Sequence, residues 1–98
     1  MNMQQLMQQA QRMQRDITKK KNEIDEMKFT GKSAWVEIVF NGKREIQSFK
    51  ILKDGIIEND DKEMLEDMIM LAMKDAFKQI DQETESKLGQ YASMNGLF

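Results

Sequence analysis

Apolar residues in the first third of the chain recur at spacings of three, four and seven. This pattern predicts an amphipathic helix from Met3 to Met27, with a narrow apolar stripe of the coiled-coil type. The residues of this heptad stripe are Met3, Leu6, Ala10, Met13, Ile17, Ile24 and Met27, and only Lys20 interrupts it. The helix would be roughly 35 Å long. A narrow stripe on so long an exposed helix requires a partner helix to cover it.

After Met27 the apolar residues alternate with polar ones, which is typical of β-strands. The three alternating runs are Met27 and Phe29 before Gly31; Ala34, Val36, Ile38 and Phe40; and Ile46, Phe49 and Ile51. Asn41-Gly42 separates the second run from the third. Both residues tolerate the positive φ of a tight turn, so this pair predicts a hairpin between two of the three strands.

The register of this hairpin depends on the length of its loop. A two-residue turn places Ile38 opposite Glu45, whereas a three-residue loop places Ile38 opposite Ile46. We favour the longer loop because it pairs apolar side chains across the strands. The step from Ile46 to Phe49 breaks strict alternation, which predicts a bulge near Gln47-Ser48.

An acidic segment followed by a broad apolar pattern predicts a second long helix. Asp60 as the N-cap and Glu63 three residues later fit a capping box, and their carboxylates suit the positive end of the helix dipole. The apolar stripe of this helix is expected to cover one face of the sheet. It consists of Leu65, Met68, Ile69, Ala72, Met73, Ala76, Phe77 and Ile80. We expect Gly89 to end the helix or to begin a flexible tail over residues 89–98.

Composition narrows the class of protein. We expect 98 residues to form one domain over positions 1–98 with a limited core, which favours an oligomer. The chain contains no cysteine and no histidine, which removes thiolate chemistry and the commonest catalytic base and metal ligand. No apolar run approaches the roughly 20 residues of a membrane span, and the polar start has no signal-peptide pattern. We therefore expect a cytoplasmic, non-enzymatic protein without a cofactor, a small-molecule substrate or a membrane partner.

Charge is unevenly distributed along the chain, although the net charge is only −2. Residues 1–30 carry six Lys/Arg against four Asp/Glu, whereas residues 59–98 carry four against nine. A basic cluster in the first helix consists of Arg12, Arg15, Lys19, Lys20 and Lys21. This cluster can neutralise DNA phosphates, or it can be an ordinary solvated helix face. Because the sequence offers no recognition helix and no aromatic residues between the cations, the residues alone leave both interpretations open.

Three further features have a structural and a functional interpretation. The acidic residues from Asp60 to Asp67 lack the spacing of an EF-hand, so we interpret them as a helix cap and not as a metal site. Most of the ten methionines lie on the helix stripes, which indicates packing more than an adaptable binding surface. Trp35 is out of phase with Val36, so it is expected on the less covered side of the sheet, buried in a dimer and not stacked on a ligand. The predicted dimer interface is Met3, Leu6, Ala10, Met13, Ile17, Ile24 and Trp35.

Four segments of the chain carry a family resemblance. They are Leu6-Met7 with Gln9-Ala10-Gln11 and Met13-Gln14; Thr30-Gly31; Val36 to Phe40 with Asn41-Gly42; and, most specific, Asp60 to Asp67. In order and spacing, from about residue 3 to residue 88, they resemble the YbaB/EbfC family of bacterial nucleoid-associated proteins. The resemblance implies an α+β fold of a helix, a three-stranded antiparallel sheet and a second long helix. It also implies a tweezer-like homodimer that binds double-stranded DNA and catalyses no reaction.

The chain departs from the family pattern at two places. Lys32 to Trp35 replace a glycine-rich stretch before the second strand, and Ala92 to Phe98 keep only the final phenylalanine of a Gly- and Pro-rich ending. Since the matching motifs are structural, the predicted DNA contacts rest on local charge. The sequence thus predicts a nucleoid-associated homodimer that reads few bases directly and affects nucleoid organisation and gene expression. The alternative is a protein-interaction adaptor without DNA binding, which the acidic second half favours.

Overall fold

Two long helices flank a small antiparallel sheet in the computed structural model, which describes residues 2–91. Helix α1 spans Met3–Glu26, strands β1, β2 and β3 span Phe29–Lys32, Val36–Phe40 and Ile46–Ile51, and helix α2 spans Lys62–Leu88. Short 3-10 helices, Asn59–Asp61 and Gly89–Tyr91, adjoin the two ends of α2. The predicted α-β-β-β-α order is confirmed. Gly89 follows α2 as predicted, and most of the predicted tail, residues 92–98, lies outside the described residues.

Polar residues cap the beginning of α1 and of the 3-10 turn that precedes α2. Asn2 caps α1, and its Oδ1 accepts a hydrogen bond of 2.8 Å from the backbone N–H of Gln5. The predicted capping box of Asp60 with Glu63 is wrong. The reciprocal pair is Glu58 with Asp61, and the Glu58 N–H donates to Asp61 Oδ2 at 3.0 Å. The box lies earlier because a 3-10 turn precedes α2 and continues directly into it.

The sheet has the order β1-β2-β3, and both strand pairs are antiparallel. Ile38 lies opposite Phe49, and Phe40 lies opposite Ile46. The predicted register, with Ile38 opposite Ile46, is therefore wrong. The register shifts where Gln47 is inserted opposite the step between Val39 and Phe40, which confirms the predicted bulge.

The register differs from the prediction because Asn41 continues the ladder and does not begin the turn. Its N–H donates to the carbonyl oxygen of Glu45 at 3.0 Å, which leaves a three-residue loop over positions 42–44. Positive φ occurs at Arg44, with a value of 65°, and not at Asn41 or Gly42. Gly42 is required for a different reason, since a Cβ there would lie 2.8 Å from the Cα of Asp25 in α1.

The core lies between α2 and the first two strands. The inward residues of the sheet are Phe29 and Gly31 from β1 and Val36, Ile38 and Phe40 from β2. Ala72, Ala76 and Ile80 of α2 are buried against them, so the predicted stripe of the second helix does cover one face of the sheet. Gly31 allows a close approach, because a Cβ at this position would lie 2.8 Å from Ala76 Cβ.

Helix α1 packs on α2 only through its second half. Ile17 and Ile24 are each 4% exposed and belong to the core. These two residues were predicted at an interface between chains, but α2 of the same chain covers them and supplies the partner helix that the stripe requires. Residues 2–12 are exposed. We call residues 3–13 the arm, and the molecule that carries it is 69 Å in its longest dimension.

Candidate nucleic-acid interface

Three cations of the predicted cluster lie together on one side of α1. Arg12, Arg15 and Lys19 follow one another at spacings of three and four, which places them on the same side of the helix, and all three are exposed. The heptad stripe lies on the opposite side, where Ile17 meets α2. None of the three forms a salt bridge with any of residues 2–91. We call these three residues the basic side of α1.

Lys20 is separated from the basic side. Its Nζ lies 3.2 Å from Asp16 Oδ2, and the same oxygen accepts a hydrogen bond of 2.5 Å from the hydroxyl of Tyr91. The ammonium also lies 5.8 Å from the centre of the Tyr91 ring. The charge of Lys20 is therefore directed toward groups of its own chain, whereas those of the basic side are directed to solvent.

The Tyr91 contact shifts the pKa of both partners away from neutral pH. The hydrogen bond from Tyr91, followed by the one from Lys20, lowers the pKa of Asp16 below its ordinary value. The same hydrogen bond to Asp16 raises the pKa of Tyr91. At neutral pH Asp16 is therefore an anion next to Lys20, and Tyr91 remains a neutral donor.

Lys21 lies on the other flank of the helix. It is exposed and borders a depression formed with Ile24, Arg44 and Asp81. The five predicted DNA-contacting residues thus divide into the three of the basic side, a paired Lys20 and a separate Lys21. The prediction treated the five as one cluster, although spacings of three and four in the sequence place only Arg12, Arg15 and Lys19 on one side of a helix.

The basic side is open and ends near the middle of α1. Arg15, Thr18 and Lys19 border a shallow depression that continues to Glu23 and Glu26. From Arg12 to Lys19 the helix rises by about 10 Å. A short, convex row of cations suits the backbone of an extended anionic polymer better than it suits an enclosed small ligand.

A second surface, which the sequence analysis missed, is apolar and lies beside β3. Ile46, Phe49 and Ile51 are directly opposite the inward residues of β2 and so share their face, yet their exposures are 60%, 45% and 49%. The signal in the sequence was an edge strand whose three apolar residues share one face. The prediction that the second helix covers this face holds for β1 and β2 but not for β3. A helix about 10 Å wide spans only about two strands that lie about 4.8 Å apart.

The position of α2 explains why β3 is left open. On one flank of α2, Asp75 accepts from the backbone N–H of Lys32 and Gln79 donates to the carbonyl oxygen of Thr30, both in β1. On the other flank the ring of Phe77 lies 4.9 Å from that of Phe40 in β2. The helix is therefore centred on β1 and β2. We call two apolar sets together the β3 groove: the exposed Ile46, Phe49 and Ile51 of β3, and Met70, Met73 and Phe77, which line a depression on α2.

The remaining predicted residues have mixed environments. Met3, Leu6 and Ala10 are exposed on the arm, and Met13 is half-buried. Trp35 is half-buried against the core, and Lys53 Nζ lies 5.0 Å from the centre of its ring. Its position in a dimer interface stays a prediction.

The described residues 2–91 present no metal cluster of acidic side chains. Asp61, in the acidic segment before α2, accepts from the Glu58 N–H and lies 3.4 Å from Lys53 Nζ. No helix within this part of the chain is long and apolar enough to cross a membrane. The candidate sites are therefore surfaces, one charged and one apolar, on a small α+β protein.

Comparison with known proteins identifies the family. The profile of the YbaB/EbfC DNA-binding family matches residues 1–95. A nucleoid-associated protein of Lactobacillus delbrueckii subsp. bulgaricus is 42% identical over 93% of this chain and 84% of its own length. One from Lactococcus lactis subsp. lactis is also 42% identical, over 93% of both chains, and one from Enterococcus faecalis is 35% identical over 92% of this chain and 88% of its own. The chain belongs to the YbaB/EbfC DNA-binding family, as its sequence motifs indicated.

Proposed function

We propose that this protein is a nucleoid-associated protein that binds double-stranded DNA through the basic side of α1 and acts by binding, without catalysis. One observation carries the assignment of the surface: Arg12, Arg15 and Lys19 are exposed on one side of a helix and have no salt-bridge partner among residues 2–91. Membership of a DNA-binding family and the names of the relatives support the choice of ligand.

The expected mode of binding is phosphate contact with little reading of bases. Lys and Arg on a convex helix side can reach the backbone oxygens of a duplex, and each contact releases a bound counterion. No Asn, Gln or aromatic side chain lies between Arg12, Arg15 and Lys19 on the basic side, and such side chains are the ones that read or stack on bases. Affinity should then depend strongly on salt and weakly on sequence.

The β3 groove supports a homodimer as the binding unit. The groove is apolar, and the charged residues along its α2 side are of both signs: Lys74, Lys78 and Asp81. Mixed charges around an apolar centre suit a symmetric contact in which the same surface meets its copy. A dimer would carry two basic sides, and the second would bind the same duplex at a high effective concentration.

The first test removes charge from the basic side. Replacing Arg15 and Lys19 by Gln should weaken binding to random duplex DNA and reduce the salt slope of log K by roughly one to two units. Fluorescence anisotropy at several salt concentrations measures both quantities. The matched control replaces Lys50 and Lys62, exposed cations at the other end of the molecule, by Gln, and should leave the slope within error of the parent. Equal effects of the two double variants would remove the basic side from the DNA site.

The second test addresses the dimer. Light scattering during size-exclusion chromatography should give twice the mass of 11.5 kDa, and Phe49→Ser should shift the equilibrium toward the protomer. Met64→Ser changes an exposed residue of α2 away from the groove and should not. If the parent protein has the mass of one protomer and still binds DNA, the homodimer proposal is wrong and the DNA-binding proposal stands. A dimer that binds no duplex at low salt would favour the adaptor, for which the β3 groove is the candidate docking surface.

A further inference from the structure

The arm of α1 presents an apolar strip that no described part of the chain covers. Met3, Leu6 and Met7 are 72%, 48% and 58% exposed, and Ala10 is exposed between them and the core. We call these four residues the open strip. We propose that residues 92–98 of the same chain pack on the open strip through Leu97 and Phe98. This inference does not depend on DNA binding.

The open strip continues a surface that this chain already covers. In the second half of α1, the same heptad stripe is buried by α2 at Ile17 and Ile24. Helix α2 runs antiparallel to α1, because Lys87 Nζ lies 3.7 Å from Glu23 Oε2 while Tyr91, further along the chain, contacts Asp16. The covering segment therefore advances toward the arm as the chain proceeds beyond α2.

Tyr91 fixes the point at which residues 92–98 begin. Its hydroxyl donates to Asp16 Oδ2 at 2.5 Å, and its ring is partly buried against the core. Residue 92 thus starts next to the boundary between the buried half of α1 and the arm.

The length and chemistry of the segment fit the strip. Seven residues in extended conformation span about 23 Å, whereas α1 rises by about 20 Å from Asp16 to Met3. The segment has no charged side chain, and besides Met94 its two largest apolar residues, Leu97 and Phe98, lie at the far end, where they can reach Met3 and Leu6. Because the segment is tethered directly after Tyr91, its effective concentration at the strip exceeds that of any free chain in micromolar protein.

Packing in this position would leave the basic side free. Arg12, Arg15 and Lys19 point away from the stripe, so a segment on the open strip does not compete for them. It would also stabilise the helical arm, because an isolated helix of about 11 residues is marginal in water.

The test uses a nitroxide on a single introduced cysteine, since the chain has none of its own. With the label at Asn95→Cys and no DNA present, NMR amide signals of residues 3–8 should lose intensity while those of β1 should not. Diluting chains that carry both the nitroxide and 15N into an excess of unlabelled parent distinguishes contact within one chain from contact between two chains. Retained broadening is the expected result. Broadening that disappears on dilution would assign the open strip to the segment of a second copy and overturn the proposal.

One double variant and one control test whether Leu97 and Phe98 make the contact. Leu97→Ser with Phe98→Ser should abolish the broadening of residues 3–8, whereas Ser93→Ala should leave it unchanged. A label at Lys62→Cys, at the far end of α2, controls for contacts between molecules in solution. Full amide intensity over residues 3–8 with the label at position 95 would also overturn the proposal, whatever the DNA affinity of the protein.

Discussion

The two halves of α1 have the same spacing of apolar residues and opposite environments. Ile17 and Ile24 in the second half are 4% exposed, whereas Met3 and Leu6 in the arm are 72% and 48% exposed. The cause lies outside α1, since α2 ends at Leu88 and covers only the second half. Periodicity therefore predicts where a helix has an apolar side, but the length of the neighbouring element decides how much of that side is buried.

Charges differ between the halves in the same way. Beyond Lys19, α1 contains the acids Glu23, Asp25 and Glu26, and Lys20 is paired with Asp16. Glu23 is paired with Lys87 of α2. The first 15 residues, by contrast, contain no acidic residue at all. The basic side thus begins in the arm at Arg12 and continues through Arg15 to Lys19, ahead of the acids of α1 that follow it.

The largest expected difference between the halves is in stability. Ile24→Ala should lower the free energy of unfolding by about 2–5 kcal/mol, because it opens a cavity in the core. Leu6→Ala removes a similar volume from the same stripe but should cost less than about 1 kcal/mol. Urea unfolding at one fixed protein concentration measures both, since a dimer makes stability depend on concentration.

Alanine is an appropriate probe here because its helix propensity is higher than that of leucine. A change at Leu6 therefore reports lost contacts and not a weaker helix. If Leu6→Ala were as destabilising as Ile24→Ala, the arm would be a folded part of the core and the contrast between the two halves would be false.

Most of the fold could be predicted from the sequence because it depends on local patterns. The heptad stripe, the three alternating runs and the bulge at Gln47 are each encoded within a few residues. The register could not be predicted, since it depends on whether Asn41 pairs or turns. That choice is made by contacts distant in sequence, where Gly42 meets α1 and Arg44 pairs with Asp81 at 2.6 Å.

The candidate site could be predicted only in part. Proximity in sequence placed Lys20 in the same predicted cluster as Arg15 and Lys19. In the structure Lys20 pairs with Asp16, and Asp16 also binds Tyr91, which is 75 residues away in sequence. The β3 groove was missed because its exposure results from the position of α2 over β1 and β2. The contact of Tyr91 with Asp16 and the position of α2 are both tertiary, and no local pattern encodes them.

The smallest expected effect concerns the Tyr91–Asp16 contact, where the second half of α1 meets the start of residues 92–98. Asp16 has its pKa lowered below the ordinary value of 3.8, first by the hydrogen bond from Tyr91 and then by Lys20. Its contribution to stability is therefore present above pH 3.8 and is lost as the pH falls through the lowered pKa. Tyr91 has its pKa raised above 10.0 by Asp16, so its contribution is present below pH 10.0 and is lost as the pH rises through the raised pKa.

Tyr91→Phe tests this contact, because it removes the donor and keeps the ring. In the variant the pKa of Asp16 should rise toward 3.8 without reaching it, since Lys20 Nζ still lies 3.2 Å from the carboxylate. The carboxyl 13C shift of Asp16, followed by NMR from acid to neutral pH, measures the change. Asp16→Asn is the reciprocal variant and should lower the pKa of Tyr91 toward 10.0. If Asp16 titrates at the same pH in parent and Tyr91→Phe, the hydroxyl does not hold the carboxylate in solution, and Tyr91 is not fixed to α1 by this contact.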